Sequence, residues 1–339
     1  MRVGILLNPN SRKNRKQAGT PESRTRVARL TARVGSLGEV VETQDIDELK
    51  SAIRRLLAQG VDYLVSDGGD GALHWALNEV RAARGDDHLV PLVPTCGGTI
   101  DFVARKVGVT GTQDAIVERL LRKLEDGTKI ETTWIDSLRI QGTRATDTAE
   151  EPFDRLGFAL AAGGVGQRFF DHYYASSDPS AATIVTIVLT TIASQLAAAL
   201  DVPHTESLQR YAKTLFRPTA AQVELDGETL ATTLHGALHA GAFDVSLGGV
   251  FRVFPLAASD GQLHFQAGAI TPWEIIRAVP DLVRGGTIKS QNLREVAGTL
   301  MKISAQGQEL LSPIIDGEQF TSLQDLEVTP GPRVPIARV

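Results

Sequence analysis

Three times in the first hundred residues a short apolar run ends in a polar or glycine-rich turn, and a helical pattern follows. The runs are 3–7, 63–66 and 90–93. The turns are Asn8-Pro9-Asn10-Ser11, Asp67-Gly68-Gly69-Asp70-Gly71 and Pro94-Thr95-Cys96-Gly97-Gly98-Thr99-Ile100-Asp101. Helical patterns lie at 24–34, 46–59, 73–83, 100–107 and 113–124, with a further strand at 39–42. In the second of these helices Ile46, Leu49, Ile53, Leu56 and Leu57 share one stripe. Strands alternating with helices imply a parallel sheet covered on both faces. In such a sheet, ligands sit at the carboxyl ends of the strands, so the three turns would converge on one crevice.

Each turn has a functional and a bland reading. Glycines let a backbone approach a phosphate closely, and a helix N-terminus offers unpaired N–H groups and the positive end of a dipole. Asp67–Gly71 thus reads as a phosphate loop with Asp70 near the reacting group, or as a tight turn without a ligand. Asn8–Ser11 offers side-chain donors to a phosphate or ribose, or is an ordinary turn. The helix histidine His74 reads as exposed, and Cys96 as a packed small residue rather than a nucleophile.

The pattern changes near Lys129. Short β-like runs at 135–141, 158–162, 221–225, 235–240, 249–254, 263–267 and 300–304 suggest an antiparallel sandwich or barrel. Helices at 183–200 and 273–284 interrupt it, and the acidic stretch 143–152 reads as a hairpin loop. The segment 180–200 has no charge over about the length of a membrane span. Its Ala, Thr, Ser and Gln content favours a buried or surface-docking helix. Asp226-Gly227-Glu228 is flanked like a hairpin turn. The same tripeptide recurs as Asp316-Gly317-Glu318, where a turn or a catalytic carboxylate fits.

The chain has 339 residues, a net charge of -5 and one cysteine. That argues against a general nucleic-acid partner and against a disulfide framework or a cysteine metal site. The apolar run at 3–7 is too short for a signal-peptide core.

The ordered motifs resemble the catalytic domain shared by diacylglycerol kinases, sphingosine kinases and ceramide kinases, bacterial lipid kinases included. Asn8–Arg12 is similar to the family's N-P-x-S-G element, Gly68–Ala72 to its G-G-D-G-T, and Gly98–Asp101 to its G-T-x-N. Ala162–Gly166, Phe254–Leu263 and Ile315–Glu318 resemble its later glycine turn, its P-x-A-x-x-D-D-G-x-L segment and its D-G-E. The resemblance implies an α/β N-terminal nucleotide-binding domain with a parallel sheet, NAD-kinase-like, over 1–133. An antiparallel β-rich lipid-binding domain would follow over 134–309, and a segment from about 310 to 339 would return to the first domain.

It also implies roles. Asn8, Asn10, Ser11, Thr43, Gly68, Gly69, Asp70, Gly71, Gly98 and Thr99 would surround ATP. Asp316 and Glu318 would face the accepting hydroxyl, one as general base, with Asp70 also catalytic. Asp260 and the carbonyls of Ala257 and Gln262 would hold Mg²⁺. The expected acceptor is a membrane lipid, diacylglycerol or a ceramide-like or sphingoid alcohol. The expected setting is cytoplasmic, peripheral to the inner membrane face, with a homodimer plausible. Phosphoryl transfer itself needs positioning, charge neutralisation and a base for the hydroxyl proton. The alternatives are an NAD-kinase-like enzyme and a non-catalytic nucleotide or lipid binder. This sequence departs from the family at Arg12 for Gly, Ala72 for Thr, Asp101 for Asn and Ser259 for Asp.

Overall fold

Strand β1 (Val3–Leu7) is buried along its whole length, as a strand covered on both faces must be. It pairs in parallel with β2 (Gly38–Glu42) and with β3 (Tyr63–Asp67), and β3 pairs in parallel with β4 (Leu92–Pro94). The sheet continues through β21 (Val334–Arg338), parallel to β4, to β5 (Glu131–Ile135), antiparallel to β21. The order is β2-β1-β3-β4-β21-β5. The computed structural model describes residues 1–15, 20–176, 180–200, 205–247 and 251–339. The chain divides into a first unit, Met1–Ile135 with Pro332–Val339, and a second, Asp136–Gly331.

The helices of the first unit are α1 (Arg12–Arg15), α2 (Pro21–Val34), α3 (Ile46–Ala58), α4 (Asp70–Arg84), α5 (Phe102–Lys106) and α6 (Gln113–Glu125). Their starts follow local chemistry. The side chains of Thr20, Asp45 and Thr112 accept from the backbone N–H groups of Ser23, Glu48 and Ala115, caps worth about 1 kcal/mol each. Ile53 and Leu56 of α3 and Leu73 and Leu77 of α4 are fully buried with Ile5 and Leu64, each contributing about 1.5–3 kcal/mol. Gly4 lets α3 approach β1: a methyl there would lie 2.8 Å from Leu56 Cδ1.

The second unit is built on antiparallel sheets. One contains β6 (Leu138–Ala145), β7 (Glu150–Gly157), β9 (Thr219–Leu225), β10 (Glu228–Thr229), β11 (Leu234–His235), β17 (Met301–Ala305) and β20 (Leu323–Pro330), ordered β10-β9-β17-β20-β6-β7 with β11 on β9. Another contains β8 (Ala159–Gly163), β12 (Ala237–Gly241), β15 (Leu263–Gly268), β16 (Leu293–Gly298), β18 (Ile314–Ile315) and β19 (Glu318–Gln319), ordered β16-β15-β12-β8-β18-β19. β13 (Val245–Leu247) pairs with β14 (Phe251–Val253). The helices are α7 (Gly164–Tyr174), α8 (Ala181–Ala199), α9 (Glu206–Leu215) and α10 (Pro272–Arg284).

Several expectations change. The stretch 143–152 is the hairpin expected, with a shorter loop: β6 and β7 pair up to Ala145 and Glu150, leaving 146–149 as the turn. β7 is a sheet edge, where charged residues and a proline such as Glu150, Glu151 and Pro152 are the usual protection against further pairing. The turn expected at 162–166 opens α7, and α9 is an element beyond those expected from the sequence. Residues 249 and 250 of the expected strand 249–254 lie outside the described residues. Among the described residues no helix is long and apolar enough to cross a membrane. α8 instead buries Ile184, Ile187, Thr191, Ser194 and Ala197 and leaves Val185, Leu189 and Leu196 exposed, with Leu200 just beyond its end.

Candidate active site

The three strand-end turns of the first unit pack backbone against backbone. Gly97 N–H donates to the Gly68 carbonyl at 2.9 Å, and Asn8 N–H to the Asp67 carbonyl at 3.2 Å. A methyl on Gly69 would lie 2.8 Å from Gly98 Cα, and one on Gly97 would lie 2.8 Å from Gly68 O. These glycines are required by close approach, not by unusual dihedrals. The first turn is braced by Asn8 Oδ1, which accepts from Asn10 N–H at 2.9 Å, and by Asn10 Nδ2, which donates to Gln44 O at 2.9 Å. Thr43 is buried and its N–H donates to Leu7 O at 3.0 Å. The Ser11 hydroxyl is buried with no hydrogen-bond partner among the described residues. A buried hydroxyl without a partner is costly.

A hub at Asp67 was missed from sequence. Its carboxylate is fully buried and pairs with Arg26 of α2 at 2.7 Å. It also accepts from Thr95 Oγ1 at 2.7 Å and Gln113 Nε2 at 2.6 Å, and Asn14 Nδ2 donates to its carbonyl at 3.2 Å. A buried ion pair is sustainable only when the remaining lone pairs are filled, and here the donors come from α1, α2, α6 and the third turn. Asp67 therefore fixes the mutual placement of the turns. Its position directly before Gly68 was the available signal.

Asp70 lies in the first turn of α4, but its carboxylate reaches α5. Phe102 N–H donates to Oδ2 at 3.1 Å and Val103 N–H to Oδ1 at 3.3 Å. It caps a helix of the third turn with negative charge at the positive dipole end. Gly71 and Thr99 are half-buried in the second and third turns. Asp101 sits at φ +51, in the left-handed region that Asn and Asp enter most easily among non-glycine residues. Its Oδ1 accepts from Gly98 N–H at 2.8 Å. Burial raises its carboxyl, while the Gly98 N–H and the charges of Lys13, Arg105 and Arg12 pull it down. The cations facing it are thus Lys13, Arg105 and Arg12. His74 is not exposed: it is fully buried, and Asn78 Nδ2 donates to its carbonyl at 2.9 Å. Burial, helped by Asp101, pushes the Cys96 thiol up to about 11, which suits a packed residue.

In the second unit the two D-G-E tripeptides are the same device. Asp226 and Gly227 have φ +46 and +88, Asp316 and Gly317 +51 and +91. Both pairs form two-residue hairpin turns of the type that needs positive φ at each position. Asp226 Oδ1 accepts from Thr299 N–H at 3.0 Å and Leu300 N–H at 2.9 Å. Asp316 Oδ1 accepts from Phe158 N–H at 2.8 Å and Ala159 N–H at 2.9 Å. Each carboxylate is received at a glycine: a methyl on Gly298 would lie 2.2 Å from Asp226 Oδ2, and one on Gly157 would lie 3.1 Å from Asp316 Oδ2 and 2.4 Å from Ile315 Cγ2. What distinguishes the Asp316 turn is its setting. Asp316 is 3 % exposed and Glu318 half-buried. Tyr174 of α7 donates its hydroxyl to Gly317 O at 2.8 Å.

Asp260 is exposed in the turn 255–262, with Ala257 buried and Gln262 half-buried. Gly261 N–H donates to Asp136 Oδ2 at 3.4 Å, which brings a second carboxylate to that turn. Among the described residues no group of three or more His, Cys, Asp and Glu could hold a metal ion. One carboxylate with carbonyls and water is, however, the donor set that suits Mg²⁺, so these residues fit such an ion.

Residues 2–132 match the family described as the diacylglycerol kinase catalytic domain. Among solved structures, a diacylglycerol kinase from Bacillus anthracis str. Sterne aligns with a TM-score of 0.59 at 13% identity, covering 100% of this chain and 97% of that one. A yeast NADH kinase solved with NADH aligns with a TM-score of 0.53 at 9% identity, covering 100% of this chain and 84% of that one. Likeness at these identities is likeness of fold: an α/β unit and a β-rich unit, as the sequence implies. No curated protein matches the chain by sequence.

Proposed function

We infer that this chain, whose residues 2–132 match the diacylglycerol kinase catalytic domain, transfers the γ-phosphate of ATP to a lipid hydroxyl of diacylglycerol or ceramide and sphingoid type. The observation that carries the nucleotide half is the meeting of the three turns, with the Ser11 hydroxyl buried beside them and lacking a partner among the described residues. That hydroxyl is a donor suited to a phosphate oxygen at the N-terminal end of α4. Asp70 acts by holding α5 in place. Asp67 acts by fixing the turns.

The acceptor half rests on the turn 316–318. Asp316 Oδ1 is committed to two backbone N–H groups. Acceptance of the hydroxyl proton falls to its other oxygen or to Glu318. Mg²⁺, when bound by Asp260 and the carbonyls of Ala257 and Gln262, would supply positive charge that orders the 255–262 turn.

The outward side of α8 suits contact with an anionic bilayer. Val185, Leu189 and Leu196 are exposed there, and the next helix, α9, exposes Arg210 and Lys213. Apolar residues beside basic ones are the composition that binds such surfaces.

The test is transfer of radiolabelled γ-phosphate from ATP–Mg²⁺ to micellar diacylglycerol, ceramide, sphingosine and phosphatidylglycerol, with NAD as a further acceptor. Label in one lipid supports the reading and names the acceptor. Label in NAD alone replaces it with the second reading, and no label in any acceptor with ATP binding intact argues for a binder without turnover.

A further inference from the structure

A line of buried polar side chains crosses one face of the β12-β15-β16 sheet and ends against the 255–262 turn. His239 stands opposite Gln266, and Gln266 opposite Glu295. His264 lies two residues from Gln266 on the same face. Glu295 Oε1 accepts from Gln266 Nε2 at 2.9 Å, and Oε2 accepts from Ile288 N–H at 2.6 Å. His264 Nε2 lies 3.0 Å from Glu295 Oε1, off the line of an ideal hydrogen bond, and the two side chains are 0% and 5% exposed. Leu256 N–H donates to His264 Nδ1 at 3.0 Å.

The direction of this chain is fixed. Nδ1 of His264 takes a backbone N–H, so the ring's proton sits on Nε2, towards Glu295. Glu295 is a buried carboxylate with no Lys or Arg paired to it among the described residues. Two donors, Gln266 Nε2 and Ile288 N–H, hydrogen-bond it, and His264 Nε2 stands 3.0 Å away, an arrangement that apolar residues often replace without loss of stability. It stands against the His264 ring, whose Nδ1 is aimed at Leu256.

Leu256 is the second residue of the 255–262 turn. Directly before that turn, Phe254 has φ +65. For a bulky side chain this is a strained conformation, costing about 1–3 kcal/mol, and it persists only where the surroundings impose it. The surroundings here are His264, whose ring meets the Phe254 ring edge-on at 5.6 Å, and Gly241, where a methyl would lie 2.2 Å from Phe254 Cγ. One imidazole thus touches the strained residue and accepts the N–H two residues later.

We propose that His264, held by Glu295, is a positioning residue for the 255–262 turn: it sets the Pro255–Leu256 peptide and through it the direction of the Ala257 carbonyl. The consequence for metal rests on reading Ala257, Asp260 and Gln262 as the Mg²⁺ site. The effect on the turn itself does not.

Two substitutions separate the functions of the ring. His264→Asn keeps an oxygen near the position of Nδ1 and gives up Glu295. His264→Gln keeps a donor towards Glu295 and gives up Nδ1. Amide hydrogen exchange of the 255–262 peptides is expected to quicken up to about tenfold in His264→Gln, the loss of one hydrogen bond. It should stay near wild type in His264→Asn. Mn²⁺ binding followed by electron paramagnetic resonance should weaken in His264→Gln and in Asp260→Asn, and less in His264→Asn. Unchanged exchange in His264→Gln, or equal quickening in both variants, overturns the positioning role. Unchanged Mn²⁺ affinity in Asp260→Asn overturns the metal reading, and with it the metal consequence, while exchange still decides the role of His264.

Discussion

The paired D-G-E turns provide an internal control for the assignment of the catalytic base. Asp226→Asn and Asp316→Asn remove the same charge from the same turn. Each variant keeps an oxygen to accept the N–H groups. A hydrogen bond to a charged group is worth about 1 kcal/mol more than one to a neutral group. Asp316 receives two backbone N–H groups, so its loss should cost about 2 kcal/mol of stability. Asp226 receives two and also Thr299 Oγ1 at 3.2 Å, but in an exposed turn where water screens the charge, so its variant should lose less. Thermal unfolding measures this, with the larger downward shift expected in Asp316→Asn. Initial rates of lipid phosphorylation, normalised to folded protein, should then diverge. Asp226→Asn keeps wild-type turnover, and Asp316→Asn loses about a hundredfold or more, the usual contribution of a general base. Equal turnover in the two variants would show that the Asp316 carboxylate is only a turn lock. Glu318 would then be the remaining candidate, tested by Glu318→Gln.

Asp101→Asn should lower the KM for ATP, because it removes a buried negative charge from the third turn while keeping an acceptor for Gly98 N–H; a raised KM in steady-state kinetics would contradict this. The same variant carries a pH signature. The folded-state pKa of Asp101 is raised by burial, so its ionised form costs stability above that pKa. The gain in Tm from Asp101→Asn should be present at neutral pH and vanish as pH falls through the raised folded value and then the ordinary carboxylate value. Gly98→Ala would place a methyl 2.7 Å from Gly69 Cα; overpacking of about 1–3 kcal/mol should appear as lost ATP binding by calorimetry. Glu274 caps α10, and hydrogen bonds from Ser290 and Thr271 hold its carboxyl down to about 2. Its stabilisation is present above the ordinary carboxylate pKa and is lost as pH falls from about 4.5 to about 2. Hydrogen exchange in α10 should quicken over that window in wild type and change less in Glu274→Gln.

The elements that were legible share one trait, a signal local in sequence. β1, β3, α3 and α6 announce themselves by apolar runs, stripes and caps within a dozen residues. The hairpin at Asp226 was read from its flanks, and the turn is there. What was not legible depends on partners far along the chain. Asp67 matters because Arg26, Thr95 and Gln113 reach it from 41, 28 and 46 residues away. His74 is buried because α4 presents it inward, which glycine-loop proximity does not encode. The stretch 143–152 looked like a loop because charge and proline mark loops and edge strands alike. The helix at 164 was hidden by the glycines at its start, which serve close approach: a methyl on Gly166 would lie 2.2 Å from His239 Nε2.

The same distinction bears on the departures at Ala72 and Asp101. The turns are assembled by glycine contacts and by the Asp67 and Asp70 carboxylates, none of which involves a hydroxyl at 72. The Asp101 backbone adopts a conformation that Asn and Asp share, and its side chain makes a bond that either amide or carboxylate oxygen makes. Neither change therefore disturbs the geometry of the turns, and what remains of a case against turnover is charge alone. That charge lies among Lys13, Arg105 and Arg12, so the penalty falls on ATP affinity, where added basic or screening ions modulate it, before it falls on the chemical step. A rate at saturating ATP that rises in Asp101→Asn as much as the KM falls would contradict this ordering and place the carboxylate against the transferring phosphate itself.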